Sequence, residues 1–283
     1  MPSATLLGQS LLSGVFIGAL YGLLGLGLSL SWGYLRLINL AHFALAFLAA
    51  YLTYQLVDVG DWHPVAALAA IVPAFFVLGV AMQVFVHRFA IGEFASLLVT
   101  FGVTVIIESL IQWIWTADFR RLQLDHGALS WRLGPLFIPI VEAAMLLVTL
   151  ALTCGTWAML RFTYIGKAMR ASAEDPDMAA AFGVDHRRLA LLLSGLAAAF
   201  AGVAGAFIAL IYTLFPAQIF TWVGVIFAVV ILGGLGNPLG ALIAGLVVGV
   251  SESLTMALTE PAWAPLVSFS LLIFVLVLRP DRI

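Results

Sequence analysis

The sequence predicts an all-α fold: a polytopic membrane helical bundle of about eight to nine transmembrane helices. Three observations carry this. Of 283 residues, 64% are hydrophobic and only 9% are charged, against roughly 25% charged in a soluble domain. The apolar runs are continuous over about 20 residues, the length that crosses a bilayer. The 12 basic and 14 acidic residues sit almost entirely between those runs. So few charges cannot wet the surface of a soluble enzyme. A net charge of −2 gives a polyanion such as nucleic acid no basic footprint. A single cysteine, Cys154, excludes an internal disulfide or a cysteine metal cluster. Continuous rather than alternating runs exclude a β-barrel.

The spans read, in order, 9–32, 39–57, 64–86, 94–116, 136–160, 189–212, 219–234, 239–257 and 264–278. No basic residue precedes Arg36, and Leu6 to Trp32 exceeds a signal-peptide core, so the first run reads as a retained span. The last three spans are the least defined. The Gly233–Gly240 break is short and uncharged, compatible with a hairpin or a broken helix. With nine passes, one face collects Arg36, Arg88, Arg161, Lys167, Arg170, Arg187, Arg188, Arg279 and Arg282. The other collects Arg120, Arg121 and Arg132. That asymmetry places the first face and the C-terminus in the cytoplasm and the N-terminus outside. The whole chain, 1–283, then reads as one membrane domain with an inner loop at 161–188 and an outer loop at 117–135.

Small residues recur every four positions at Gly14, Gly18 and Gly22, and again at Ala241, Gly245 and Gly249. This spacing lets helix backbones approach closely. Leu12-Ser13-Gly14 is echoed by Leu193-Ser194-Gly195, a faint sign of an internal repeat.

The inner loop holds nine of the 26 charged residues. Lys167 to Ala173 favours helix. A second short helix is predicted from Pro176, with Asp175 as N-cap, Asp177 in the positive first turn and Gly183 as C-cap. An Ala179-Ala180-Ala181 surface results. It reads as a solvated loop or as a docking helix.

Polar groups inside spans are costly unless paired. Glu108 and Glu252 are each expected to pair with a neighbouring helix or to line a wet cavity. Thr100, Thr104 and Gln112 add polar lining to the fourth span. Asn39 and His42 are placed near the inner surface, capping the second span or closing an inner gate. Gly233, Gly234, Gly236 and Pro238 are read as a structural turn, with Pro238 starting the next helix. His42, His63, His87, His126 and His186 are scattered, so no metal site is predicted. Nothing in the sequence joins Ser29, Ser31 and His42 for hydrolysis. The only lysine, Lys167, lacks the glycines of a phosphate-binding loop. If ATP powers this chain, another subunit binds it.

Four stretches resemble permease subunits of the branched-chain amino acid (LivH-type) ABC transporter family: Tyr34-Leu35-Arg36-Leu37-Ile38-Asn39-Leu40-Ala41-His42; the inner loop with Gly166, Arg170, Ala171, Ala173, Asp175, Pro176, Ala179, Ala180, Gly183 and Val184; Leu232 to Gly240; and Leu276-Val277-Leu278-Arg279-Pro280. The resemblance implies an importer fold and no enzyme activity in this chain. It also implies a second, homologous permease subunit, two cytosolic ATPase subunits carrying ATP and Mg, and an extracellular or periplasmic substrate-binding protein, in a bacterial or archaeal inner membrane. By similarity, Glu174 to Gly183 is the ATPase-coupling segment. The cargo implied is a branched-chain amino acid, or in related branches another amino acid, an amide, urea or an organic acid. The competing expectation is a stand-alone, ion-coupled transporter of small polar solutes. One departure stands out: Phe43 follows His42 where the family usually has glycine.

Overall fold

The computed structural model describes residues 4–89, 92–122 and 130–278; Arg279 and Arg282, and residues 123–129 of the predicted outer loop, lie outside them. The helices are α1 (Ala4–Leu35), α2 (Ala41–Tyr54), α3 (Pro64–Arg88), α4 (Glu93–Trp115), α5 (Ile140–Phe162), α6 (Tyr164–Glu174), α7 (Pro176–Ala181), α8 (His186–Ile211), α9 (Ile219–Gly233), α10 (Pro238–Leu258) and α11 (Ala264–Leu278). Counting the turn that follows α2 and the turn that precedes α9, eight helices among the described residues are long and apolar enough to cross a membrane. The ninth predicted span is α11, with 15 residues. At 1.5 Å per residue it is about 22 Å long, short of the roughly 30 Å hydrocarbon layer.

One prediction fails at the start of the fifth span. Residues Leu136–Pro139 are a strand, not helix, paired antiparallel with Ser130–Leu133. Gly134 turns the hairpin at a positive φ of 64°. The apolar run reads on through Leu136, but the backbone of Phe137 is held at both ends by one side chain. Gln9 Nε2 donates to its carbonyl, and its N–H donates to Gln9 Oε1, each at 3.0 Å. The helix begins only after Pro139, whose extended ψ of 132° marks the boundary.

The bundle is built on α1, α2 and α8, the most enclosed spans. α1 lies antiparallel along α10, and α8 lies antiparallel along α3. The first crossing uses the predicted glycines: a Cβ on Gly18 would lie 2.6 Å from the Gly245 carbonyl. Gly14 meets Gly249 and Val250, and Gly22 meets Leu242. Bare backbone is what fits, and dispersion at that distance holds the pair without any hydrophobic drive from lipid. The second crossing is tied by Ser194 Oγ, which donates to Gly79 O at 3.0 Å. The sequence echo thus falls on α1 and α8, the two helices that play matching parts. Each is followed by a non-helical break, a shorter helix, and a third helix that packs against the other long helix.

Candidate functional site

The break after α1 is the first feature of the site. Arg36 ends the helix in the left-handed region at φ 52°, and its guanidinium donates to Ala173 O at 3.2 Å. Residues 36–40 then run non-helically. They turn back into the bundle. Leu40 N donates to Thr100 Oγ1 at 3.1 Å, while Thr100 Oγ1 donates to Ser96 O at 2.7 Å with Ile38 O at 3.2 Å. Thr100, expected as lining, is therefore the strap that holds the break to α4.

His42 is buried, with Nε2 3.0 Å from Leu24 O. A carbonyl only accepts, so Nε2 carries the proton. Leu24 lies eleven residues before the end of α1, about 16 Å along the axis. Five extended residues also span about 16 Å, which accounts for the climb. His42 is thus deep in the bundle rather than near its surface, and neither it nor Asn39 caps α2 through a side chain. Sequence alone places the start of a span at a surface; the re-entrant path of residues 36–40 is a tertiary feature. Gly27 makes the room, because a Cβ there would collide with the His42 ring and approach Ala197 O. Phe43 is buried and stacks on Phe227 at 6.1 Å, so its bulk is absorbed by α9. Asn39 Oδ1 is buried and has no hydrogen-bond partner. It lines a small chamber with Ser31, Gln83, Ser96, Thr100 and Ser194. Of these, Gln83 and Ser96 carried no signal in the sequence beyond polarity within a span.

The remaining predicted span residues separate. Thr104 Oγ1 donates to Thr100 O on its own helix at 2.8 Å. Glu108 accepts from Gln112, also on its own helix, at 3.2 Å. The cross-helix partner expected for it is not present among the described residues. Glu252 is buried and does pair between helices: Tyr21 of α1 donates to it at 2.8 Å, and Ser268 of α11 donates to its other oxygen. Ser29, Ser31 and His42 do not converge. Ser31 bonds Gly27 O, and Ser29 faces the α9–α10 turn.

That turn is the second feature. Gly234 and Gly236 take positive φ of 86° and 72°, as a tight turn of this kind requires. Asn237 caps α10 by accepting from Gly240 N at 3.1 Å, with Pro238 in its first turn. The turn is docked on the last turns of α1. Gly236 N donates to Ser29 O and Oγ at 3.1 and 3.0 Å, and Tyr34 donates to Gly236 O at 3.1 Å. A side chain on Gly33 would run into the Gly236 backbone. The segment 233–240 is a hairpin turn, not a broken helix.

The third feature is the α6–α7 pair. Thr163 caps α6 by accepting from Gly166 N at 3.1 Å. Asp175 Oδ1 accepts from Asp177 N and Met178 N at 3.1 and 3.0 Å, and Pro176 opens α7. Gly183 closes it at φ 85°, with Gly183 N donating to Ala180 O and Val184 N to Ala179 O. The exposed face differs from the predicted triple-alanine surface. Ala179 is buried, while Ala180 and Ala181 are exposed between Met178 and Phe182. Phe182 is 83% exposed, an expensive placement in water for a side chain with no partner. Glu174 is exposed at the end of α6.

A bundle of apolar spans, a non-helical segment buried at depth, and a capped helix pair with an uncovered apolar face define a multi-pass membrane transport protein. The family described as "Branched-chain amino acid transport system / permease component" matches residues 10–276, and the chain belongs to it. It is 28% identical to the high-affinity branched-chain amino acid transport system permease protein LivH of Escherichia coli K12, over 97% of this chain and 94% of that one. A probable branched-chain amino acid transport permease protein LivH of Methanocaldococcus jannaschii is 30% identical over 82% of this chain and 76% of its own length. The high-affinity branched-chain amino acid transport system permease protein LivM of Escherichia coli K12 is 26% identical over 93% of this chain and 67% of its own length. No solved structure matches the chain significantly. As a permease component this chain is a transport subunit and not an enzyme.

Proposed function

We propose that this chain forms half of the translocation path of a binding-protein-dependent importer for branched-chain or closely related amino acids. Its other half is a homologous permease, a reading supported by likeness to both LivH and LivM, two permeases of one bacterium. The whole chain acts as one membrane domain in a bacterial or archaeal inner membrane. The α6–α7 end faces the cytoplasm, because Arg36, Arg88, Arg161, Lys167, Arg170, Arg187 and Arg188 gather there. The N-terminus lies outside, the eight long helices bring the end of α10 to the outer face, and a cytoplasmic C-terminus requires the shorter apolar segment Pro261–Val277 to cross a locally thinned bilayer. The outer loop at 117–135 meets the binding protein.

One observation carries the coupling role: the doubly capped α7, with Met178, Ala180, Ala181 and Phe182 uncovered. Small alanines flanked by two large apolar side chains suit a groove on a cytosolic ATPase subunit. Glu174, Asp175, Pro176, Ala179 and Gly183 fix the shape of that helix. ATP and Mg stay on the ATPases. Asn39, His42 and Thr104 belong to the gate region, and Glu108 faces the path or the partner permease. Glu252 ties three helices together.

Ala180→Arg tests the assignment. The variant is expected to insert and to keep its permease partner, yet to lose at least about tenfold in ATPase association. Association at the wild-type level would end the coupling assignment.

A further inference from the structure

A cleft of about 390 Å³ opens between the ends of α1 and α3 and the start of α8. That is within the roughly 300–1,000 Å³ range of small-molecule sites. Its lining divides by chemistry. His87, His186 and Arg187 stand at the mouth, Leu35, Leu37 and Leu191 form an apolar wall, and Gln83 closes the inner side. The Arg187 guanidinium takes part in no ion pair among the described residues; the neighbouring Arg188 is the one that pairs with Asp185, at 2.9 Å. The 26-residue helix α8 also points its N-terminus here, adding positive field.

Beyond Gln83 the character reverses. The cleft shares Leu35, Leu37, Gln83 and Val86 with the chamber that holds the unpartnered Asn39 Oδ1. Hydroxyl protons in that chamber are committed to backbone carbonyls: Ser31 to Gly27 O at 3.2 Å, Ser194 to Gly79 O at 3.0 Å, and Thr100 to Ser96 O at 2.7 Å. Those three hydroxyls and Asn39 Oδ1 therefore present acceptors only. A cationic mouth, an apolar wall and the amide of Gln83, whose carbonyl oxygen accepts, on the inner side together suit a zwitterion with an apolar side chain.

We propose that this cleft binds a free apolar α-amino acid from the cytosolic side, and that its occupancy holds the importer at rest. The inference rests on the importer reading above and adds a regulatory site to it. The carboxylate meets Arg187 and the histidines, the ammonium is directed towards the Gln83 carbonyl oxygen on the inner side of the cleft, and the side chain lies on the leucine wall. The ligand bridges α1, α3 and α8 beside the 36–40 break, so moving that break breaks the ligand's contacts. A ligand that binds this arrangement better than the moved one shifts the population towards it. Cargo that accumulates inside thereby slows its own import.

The experiment uses the complete importer, with partner permease, ATPases and binding protein, in vesicles with ATP inside. Uptake of labelled leucine is measured with and without millimolar unlabelled leucine, isocaproate or isoamylamine in the lumen. Luminal leucine is expected to slow uptake by about fivefold, the low end of ordinary allosteric coupling. The two fragments, each lacking one charged group, are expected to have little effect. Arg187→Ala and His87→Ala, both at exposed positions, are expected to keep uptake into leucine-free vesicles and to lose the inhibition. No inhibition in the wild type, or equal inhibition in both variants, overturns the proposal. Inhibition that follows the phosphatidylglycerol content of the vesicles, independently of luminal leucine, also overturns it, by assigning the mouth to a lipid phosphate. Absence of leucine uptake even into leucine-free vesicles points instead to failure of the importer reading.

Discussion

Two segments leave long helices on the same side of the bundle and end differently. The α9–α10 turn closes on itself and on α1: Ser29 and Tyr34 bond Gly236, and Asn237 caps the next helix. Beyond Arg36 the break travels inward, is strapped to α4 by the hydroxyl of Thr100, and leaves Asn39 Oδ1 buried and unpaired. A turn bonded at several points to a packed helix has one low-energy arrangement. A strap of one side chain, with an unpaired group costing about 1–3 kcal/mol beneath it, has competitors close in energy. The contrast separates a fixed corner from a segment suited to move during transport.

The largest expected effect comes from breaking the fixed corner. Gly33→Val drives a branched side chain into the Gly236 backbone and should destabilise the protein by about 3 kcal/mol or more, read as loss of folded protein in detergent thermal denaturation. Next comes the break itself. His42→Ala removes a buried donor to Leu24 O and leaves a cavity; a loss of about 2 kcal/mol is expected in the same measurement, with transport reduced further than stability alone explains. Tyr34→Phe deletes one hydrogen bond to the corner and should cost about 1 kcal/mol without changing uptake by the surviving protein. Asn39→Leu is the smallest in stability, within about 1 kcal/mol of wild type, because it removes an acceptor that is already unpaired. Its uptake should nonetheless fall. Were Asn39→Leu silent in transport while Tyr34→Phe impaired it, the assignment of fixed and moving segments would be reversed.

Legibility in the sequence follows the range of the interactions. Asp175, Pro176 and Gly183, and likewise Pro238, delimit their helices through interactions spanning a few residues, so their types and spacing were enough; Asn237, the cap beside Pro238, was not singled out. The glycine repeats announced a close crossing, although not that α1 and α10 share it. Glu252 shows the limit. Its partners Tyr21 and Ser268 are 231 and 16 residues away, and any span hydroxyl was an equal candidate beforehand. Glu108, of the same residue type in a similar run, received only its helical neighbour Gln112. Nothing in the local sequence distinguishes the two carboxylates.

The sequence by itself determined that this chain lives in a membrane, where most of its spans lie, and where the capped helix of its inner loop begins and ends. Those are consequences of solvent transfer and of local hydrogen bonding, both of which act over a turn or a span. Only the tertiary structure decided that the chain after Arg36 re-enters the bundle and carries His42 to the level of Leu24. It also decided that Leu136–Pro139 is a strand and that Ala179 faces inward. Each of these depends on which surfaces from distant parts of the chain come together, and packing of that kind leaves no periodic mark on the sequence.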